Sequence, residues 1–176
     1  MPEQKEVLIV DGYNIIHAWP ELKSMAQTSL EDARTALLDR LSNFQGLNQS
    51  VIIVVFDGYM VKGGKGSSFR HNGLHVVYTK EAETADRYIE RMAEKMPKDI
   101  FLRVATSDAL EQVIIMGKGA VRISASEFMD EVMDAEKSMR EKYIENKPVK
   151  NNLLSDNLDF KTLERLESIR RKKFKG

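Results

Sequence analysis

Two short apolar runs, each closing on an acidic residue and a glycine, constrain the fold of this chain more than any other feature. The first run is Val7–Val10, which leads into Asp11, and the second is Val51–Phe56, which leads into Asp57. Unbroken runs rich in β-branched residues are typical of strands that are buried on both faces. Such strands belong to parallel sheets covered by helices, so the two runs predict an α/β fold.

The segment between these runs has the spacing of helices. A short helix is predicted near Asn14, ending by Pro20. A second helix is predicted to begin at a capping box of Thr28 and Glu31, because apolar residues recur at helical intervals after it. Gly46 predicts the end of that second helix.

Beyond the second run, strands and helices alternate. Further strands are predicted at residues 74–78, 100–105 and 120–123, with helices at 85–96 and after 108. A capping box of Ser124 and Glu127 predicts the start of a long helix through Glu145. The segment 61–73 is rich in Gly, Ser and Lys, which predicts a mobile loop. The whole pattern predicts a three-layer α/β sandwich: a mainly parallel sheet of four to five strands with helices on both faces.

Length and composition narrow the possible functions. The chain has 176 residues, no cysteine and a formal net charge of +0. The absence of cysteine excludes disulfides, thiolate metal sites and cysteine nucleophiles. No stretch reaches the roughly 18 apolar residues that cross a bilayer, and the first residues lack the pattern of a signal peptide. We therefore expect a cytoplasmic protein with no membrane partner. Residues 1–146 are predicted to form one domain, and residues 147–176 a polar, basic, partly helical extension.

Four aspartates are placed so that the predicted topology brings them together. Three of them, Asp11, Asp57 and Asp108, follow predicted strands, and Asp86 lies in the first turn of a predicted helix. The carboxyl ends of parallel strands meet at one edge of the sheet, where α/β proteins bind their ligands. Each acid also has a simpler interpretation as a turn residue or a helix cap.

Carboxylates gathered in this way repel one another unless a cation lies between them. Oxygen-only ligands suit Mg²⁺ or Mn²⁺, and such an ion activates water and stabilises charge on a phosphate. The four aspartates are therefore predicted to bind the metal. Asn14, three residues after Asp11, is predicted to orient the water or the phosphate.

A group of basic residues in and after the segment 61–73 is predicted to bind RNA phosphates. The group consists of Lys62, Lys65, Arg70, His71 and Lys80. Backbone amides, cations and an aromatic ring in such a loop suit single-stranded RNA, and the alternative is a solvated hairpin. The loop does not fit a nucleotide-binding P-loop, because Gly64 stands where that motif requires lysine. No nucleotide cofactor is expected.

Four segments around the aspartates resemble the NYN domain of the YacP type, a branch of the PIN-like nuclease superfamily. They are LIVDGYN at 8–14, VVFD at 54–57, TKEAETAD at 79–86 and ATSD at 105–108. The DGYN and ETAD segments are the most specific of them. The resemblance extends in order over about residues 7–145.

This resemblance implies a PIN-like fold and a metal-dependent endoribonuclease that uses Mg²⁺ or Mn²⁺. Carried over by position, Asp11 and Asp86 are implied as the principal metal carboxylates, and Asp57 and Asp108 as acids that complete the pocket. Asn14 is implied as the polar helper beside the catalytic acids Asp11, Asp86 and Asp108. The resemblance also implies mRNA as the substrate and the ribosome as a partner.

Two other functions use similar residues. A receiver-like signalling domain would be phosphorylated on Asp57, but it needs paired acids after the first strand, where Gly12 follows Asp11. It also needs a lysine after the fifth strand, where Ser124 stands. A catalytically inactive RNA-binding module of the same fold is the second alternative. An acidic pocket in such a module would repel RNA unless a metal occupied it.

Overall fold

One six-stranded sheet forms the centre of the protein. The computed structural model describes residues 5–60, 65–108, 116–117 and 119–146. Its strands are β1 (Glu6–Asp11), β2 (Val51–Phe56), β3 (Lys65–His71), β4 (Leu74–Lys80), β5 (Phe101–Ala105) and β6 (Val121–Ile123). They lie in the order β3-β4-β2-β1-β5-β6, and every neighbouring pair is parallel except the antiparallel pair β3 and β4. The predicted mainly parallel α/β fold is confirmed.

Helices cover both faces of the sheet. They are α1 (Gly12–Ala18), α2 (Pro20–Thr28), α3 (Leu30–Asn48), α4 (Ala85–Lys95) and α5 (Ala125–Glu145), with a 3-10 turn at Gly58–Met60. Alternate residues of β1 point to different layers, as the predicted burial on both faces requires. Leu8 and Val10 pack with α1, α3 and α5, whereas Val7 and Ile9 pack with α4.

The sheet has one strand more than predicted, because the segment predicted as a mobile loop contains β3. That prediction is wrong for residues 65–73, which form a hairpin with β4. Asn72 and Gly73, with φ of 46° and 94°, make its two-residue turn between the paired residues His71 and Leu74. Asn-Gly is the strongest short-range signal of a hairpin turn, whereas the polar composition around it is typical of a loop. Residues 61–64, which include Lys62, lie outside the described part of the chain.

Three predicted helix boundaries are also wrong. Pro20 begins α2 instead of ending α1, since proline is favoured at the first position of a helix. The cap of α3 is Ser29, whose hydroxyl accepts a hydrogen bond from the Asp32 amide at 3.1 Å. Gly46 lies inside α3, which ends at the left-handed residue Gln49.

The capping box of α5 is confirmed, because both of its hydrogen bonds form. The Ser124 amide donates to Glu127 Oε2 at 2.8 Å, and the Glu127 amide donates to Ser124 Oγ at 3.2 Å. The chain separates into two compact units, Met1–Glu136 and Lys137–Gly176. Of the second unit the structure describes residues 137–146, so the predicted extension at 147–176 lies outside the described residues. Within the described ranges, no helix is both long and apolar enough to span a membrane.

Trp19, between α1 and α2, joins these helices to α5. Its side chain is 1% exposed and its indole Nε1 donates a hydrogen bond to the Ala125 carbonyl at 2.8 Å. The ring also packs against Phe128, with a centroid distance of 5.6 Å, and carries the Arg40 guanidinium above it at 5.3 Å. Trp19 therefore fixes the start of α5 relative to α1.

Substitutions of Trp19 should show how much its contacts with α5 contribute to the free energy of unfolding. We expect Trp19→Phe to lower the free energy of unfolding by roughly 1–3 kcal/mol, because the Ala125 carbonyl loses its buried donor. Trp19→Ala should cost about 3–5 kcal/mol, since it also leaves a cavity. Urea unfolding followed by circular dichroism gives both values. The exposed neighbour His17 supplies the control, His17→Ala, and equal stability of Trp19→Phe and this control would contradict the assignment.

Candidate active site

The site is built around Asp11, at the junction of β1 and α1. Asp11 is the last residue of β1 and also the N-cap of α1. Its side-chain Oδ1 accepts a hydrogen bond from the Asn14 amide at 3.4 Å, and the residue is 7% exposed. A strand that passes directly into a helix thus holds one buried carboxylate at the carboxyl edge of the sheet.

The glycines after Asp11 and Asp57 are required by close packing. A Cβ atom at Gly12 would lie 2.3 Å from the Phe56 ring, and one at Gly58 would lie 1.6 Å from the Thr79 carbonyl oxygen. Neither glycine is among the residues with positive φ, so neither marks a left-handed turn. The Gly58 amide also donates to Thr79 Oγ1 at 2.9 Å, which ties the turn after Asp57 to β4.

The structure brings the four predicted aspartates within electrostatic range of one another. The pKa of Asp11 is raised to about 7, first by burial and then by repulsion from Asp86, with smaller contributions from Asp108 and Asp57. The hydrogen bond from the Asn14 amide opposes this rise. Asp86, in the first turn of α4, is more exposed; partial burial and then repulsion from Asp108 and Asp57 raise its pKa. Burial and mutual repulsion therefore disfavour the charged forms of both Asp11 and Asp86.

A closed circuit of hydrogen bonds positions the segment that follows β5. The side-chain Oδ1 of Asn14 accepts from the Ser107 amide at 2.6 Å, and Ser107 Oγ accepts from the Ala125 amide at 3.3 Å. The Ala125 carbonyl in turn accepts from Trp19, which follows α1. Asn14 lies on α1, the helix that Trp19 follows. The circuit therefore connects α1, the segment after β5 and the start of α5. The backbone amide of Asp108, the next residue after Ser107, donates a hydrogen bond to Thr106 Oγ1 at 3.1 Å.

A contact between Arg34 on α3 and Tyr13, beside Asp11, was not predicted from the sequence. Arg34 Nη1 donates to the Tyr13 hydroxyl at 3.0 Å, and Tyr13 itself is only 9% exposed between Asp11 and Asn14. The Tyr13 ring packs on Phe56 with a centroid distance of 5.0 Å. These residues are far apart in sequence, and no local pattern signals their contact.

The structure divides the predicted RNA-binding residues between two ends of one hairpin. Lys65 and Lys80 are paired across β3 and β4 at the end that lies beside the carboxyl terminus of β2. Arg70 and His71 lie at the other end, next to the turn. His71 Nε2 is 2.8 Å from Asp39 Oδ1, so its imidazole already has an acidic partner.

The acidic residues at this edge fit a hard divalent cation in their chemistry. Within the described ranges, no group of three or more His, Cys, Asp or Glu side chains already has the arrangement of a metal site. The donors are nevertheless all carboxylate oxygens, and their mutual repulsion is the condition that a bound cation relieves. Asp86 is the acid that repels Asp11 most strongly, so these two carboxylates could hold such an ion together.

Comparison with known proteins identifies the family and the fold. The model of the YacP-like NYN domain matches residues 8–171. The uncharacterized protein YacP of Bacillus subtilis (strain 168) is 39% identical over 164 residues, which cover 91% of this chain and 95% of that protein. The crystal structure of a point mutant of Rae1 (YacP) from Bacillus subtilis has a TM-score of 0.70 and 36% identity, covering 85% of this chain and 88% of that one. A second crystal structure of Rae1 (YacP) has a TM-score of 0.68 and 37% identity, covering 97% of both chains.

The raised pKa of Asp11 predicts how stability depends on pH. Because the folded protein binds this proton more tightly than the unfolded chain, the group destabilises the fold increasingly as pH rises from about 4 to about 7. Asp11→Asn removes that charge and keeps the acceptor for the Asn14 amide. We expect the metal-free variant to be more stable than wild type by up to a few kcal/mol at about pH 8, with a smaller difference near pH 5.

Thermal unfolding with and without divalent metal tests this expectation. Mg²⁺ or Mn²⁺ should stabilise the wild type at about pH 8 and leave Asp11→Asn almost unchanged, since only the former presents the full set of carboxylates. Asp99 precedes β5 and so lies near the amino ends of the parallel strands, away from the site. Asp99→Asn makes the same chemical change there and serves as the control. An Asp11→Asn variant less stable than wild type at about pH 8 would show that the carboxylate is not held at an energetic cost.

Proposed function

Because this chain belongs to the YacP-like NYN family of PIN-like nucleases, we propose that it is a divalent-metal-dependent endoribonuclease. Family membership, predicted from the segments around the four aspartates, is confirmed by the comparisons. The observation that supports the proposed activity most directly is the buried Asp11 carboxylate, whose pKa of about 7 reflects both its burial and the acids around it. A nuclease family and an acidic edge also argue against the receiver-like alternative.

In this proposal, Asp11 and Asp86 hold the metal, and Asp57 and Asp108 complete the acidic pocket. When bound, Mg²⁺ or Mn²⁺ supplies an activated water and offsets the charge that develops on the phosphate. The chain's own contribution is to hold the carboxylates in place before substrate arrives. The junction of β1 and α1 fixes Asp11, and the Thr84-capped first turn of α4 fixes Asp86.

Asn14 acts in this proposal as a positioning residue. Its side-chain oxygen is engaged by the Ser107 amide, so it holds the segment that carries Asp108. Its backbone amide meanwhile donates to Asp11. One residue thus links Asp11 to the segment that carries Asp108, two of the proposed catalytic acids.

The proposed substrate is mRNA, and the proposed partner is the ribosome. Lys65 and Lys80 lie at the site's edge of the sheet and are the basic residues best placed to contact RNA phosphates. A formal net charge of +0 gives the chain little bulk attraction to a polyanion. A partner that presents the RNA would overcome this weak attraction, and the ribosome is the partner that the family resemblance implies.

Neutralising the acids one at a time tests the proposed activity. We expect Asp11→Asn and Asp86→Asn to reduce metal-dependent cleavage of RNA on the order of 100-fold or more, because each removes a proposed metal ligand. Cleavage of end-labelled RNA in Mn²⁺ or Mg²⁺, resolved on a gel, measures the rate. Asp99→Asn should retain the rate of the wild type.

The substrate in this experiment is presented in two ways, free and on translating ribosomes. Cleavage on ribosomes alone would support the proposed partner, and cleavage of both would show that the domain acts independently. If wild type cuts neither, the endoribonuclease proposal is wrong and the inactive RNA-binding module takes its place.

A further inference from the structure

A groove of about 300 Å³ lies between the β3–β4 hairpin and α4. Its size is at the lower end of the range for small-molecule sites. The polar and charged residues of its lining include Lys65, Ser68, Lys80, Glu83, Tyr88 and Arg91. The lining therefore carries two lysines on the hairpin side and Tyr88 with the ion-paired Arg91 on the helix side.

This groove borders the acidic edge of the sheet. Phe56, the residue before Asp57, pairs with Tyr78 of β4, so Asp57 lies beside the Thr79 and Lys80 that line the groove. On the other side, α4 carries Asp86 in its first turn and Tyr88 and Arg91 further along. An RNA strand bound in the groove would leave it between Asp57 and Asp86, two acids of the proposed pocket.

The guanidinium of Arg91 is fixed in a geometry suited to stacking. It forms an ion pair with Glu83 and lies 5.2 Å from the centre of the Tyr88 ring. Its side chain is nevertheless 46% exposed. Two fixed contacts therefore hold a planar cation with open surface beside the groove, and guanidinium planes stack readily on nucleobases.

We propose that this groove binds one nucleotide of single-stranded RNA adjacent to the bond that is cut. The base stacks on Arg91, and Lys65 and Lys80 contact its flanking phosphates. A base within a duplex is paired and stacked on its neighbours, so it cannot enter the groove. This inference rests on the proposed function, because it identifies the form of RNA that the same site accepts.

The charges assign different roles to the groove's cations. Glu83 neutralises Arg91, so Arg91 contributes mainly through its plane. Lys65 and Lys80 are exposed residues of the groove's lining and contribute through charge. Replacing the planar guanidinium of Arg91 should weaken RNA binding at every salt concentration. Replacing a lysine should instead change how steeply RNA affinity falls with salt concentration.

Fluorescence anisotropy with labelled octauridylate tests these roles. The Asp11→Asn background, without divalent metal, keeps the RNA intact. We expect Arg91→Lys, which keeps the charge and loses the plane, to weaken binding about tenfold with an unchanged salt dependence. Lys80→Ala should lower the slope of log affinity against log salt by about 0.7. Ser68→Phe, which fills the groove from the exposed edge strand, should also abolish most binding.

Matched controls accompany each variant. Arg122→Lys repeats the arginine substitution on β6, at the far edge of the sheet, and Ser68→Ala changes the serine without filling the groove. Both should bind octauridylate as the background protein does. A labelled RNA hairpin with a short closed loop should bind weakly to all of these proteins alike.

Several results would overturn the inference. They are equal affinities of Arg91→Lys and Arg122→Lys, full binding by Ser68→Phe, or no measurable binding of octauridylate by the background protein. Failure of the proposed function gives a different result. The groove variants would then lose RNA binding as expected, while the wild type cuts no RNA with any metal.

Discussion

The burial of one acidic side chain underlies the organisation of the candidate site. Asp11 ends the central strand β1 and caps α1, so its position is set by the backbone of both elements. Removing a carboxylate from water is costly, and nearby acids increase that cost. The fold tolerates it because Leu8, Val10 and the opposite face of β1 are packed on both sides by helices. The apolar core thereby holds the acid where a bound cation can offset it.

The rest of the site is arranged to keep that acid among its partners. Phe56 packs directly over Gly12, which holds β2 close to the start of α1. The circuit through Asn14, Ser107, Ala125 and Trp19 performs the same task for the segment after β5. Both connections combine a large buried side chain, Phe56 or Trp19, with a small residue or a backbone group. The position of the site therefore depends on packing in the core and on the helix starts.

The sequence predicted the features that depend on local pattern and missed those that depend on distant contact. The buried strands β1 and β2 followed from unbroken apolar runs, and the Ser124–Glu127 box from its three-residue spacing. The common edge of the four aspartates followed from strand topology. By contrast, the pairing that makes β3 a strand is with β4, and its polar residues gave no apolar alternation. The Arg34–Tyr13 contact spans helices and could be found only in three dimensions.

The character of β3 also has a consequence for solubility. Within the described residues this strand pairs on one side with β4, so it leaves a row of backbone donors and acceptors facing outward. Such a margin is a template on which a strand of another molecule can add, and chains avoid this by placing charge and irregular backbone there. Lys65, Arg70 and the left-handed Gly66 supply both. The polar composition that concealed this strand in the sequence thus protects the protein from edge-to-edge aggregation.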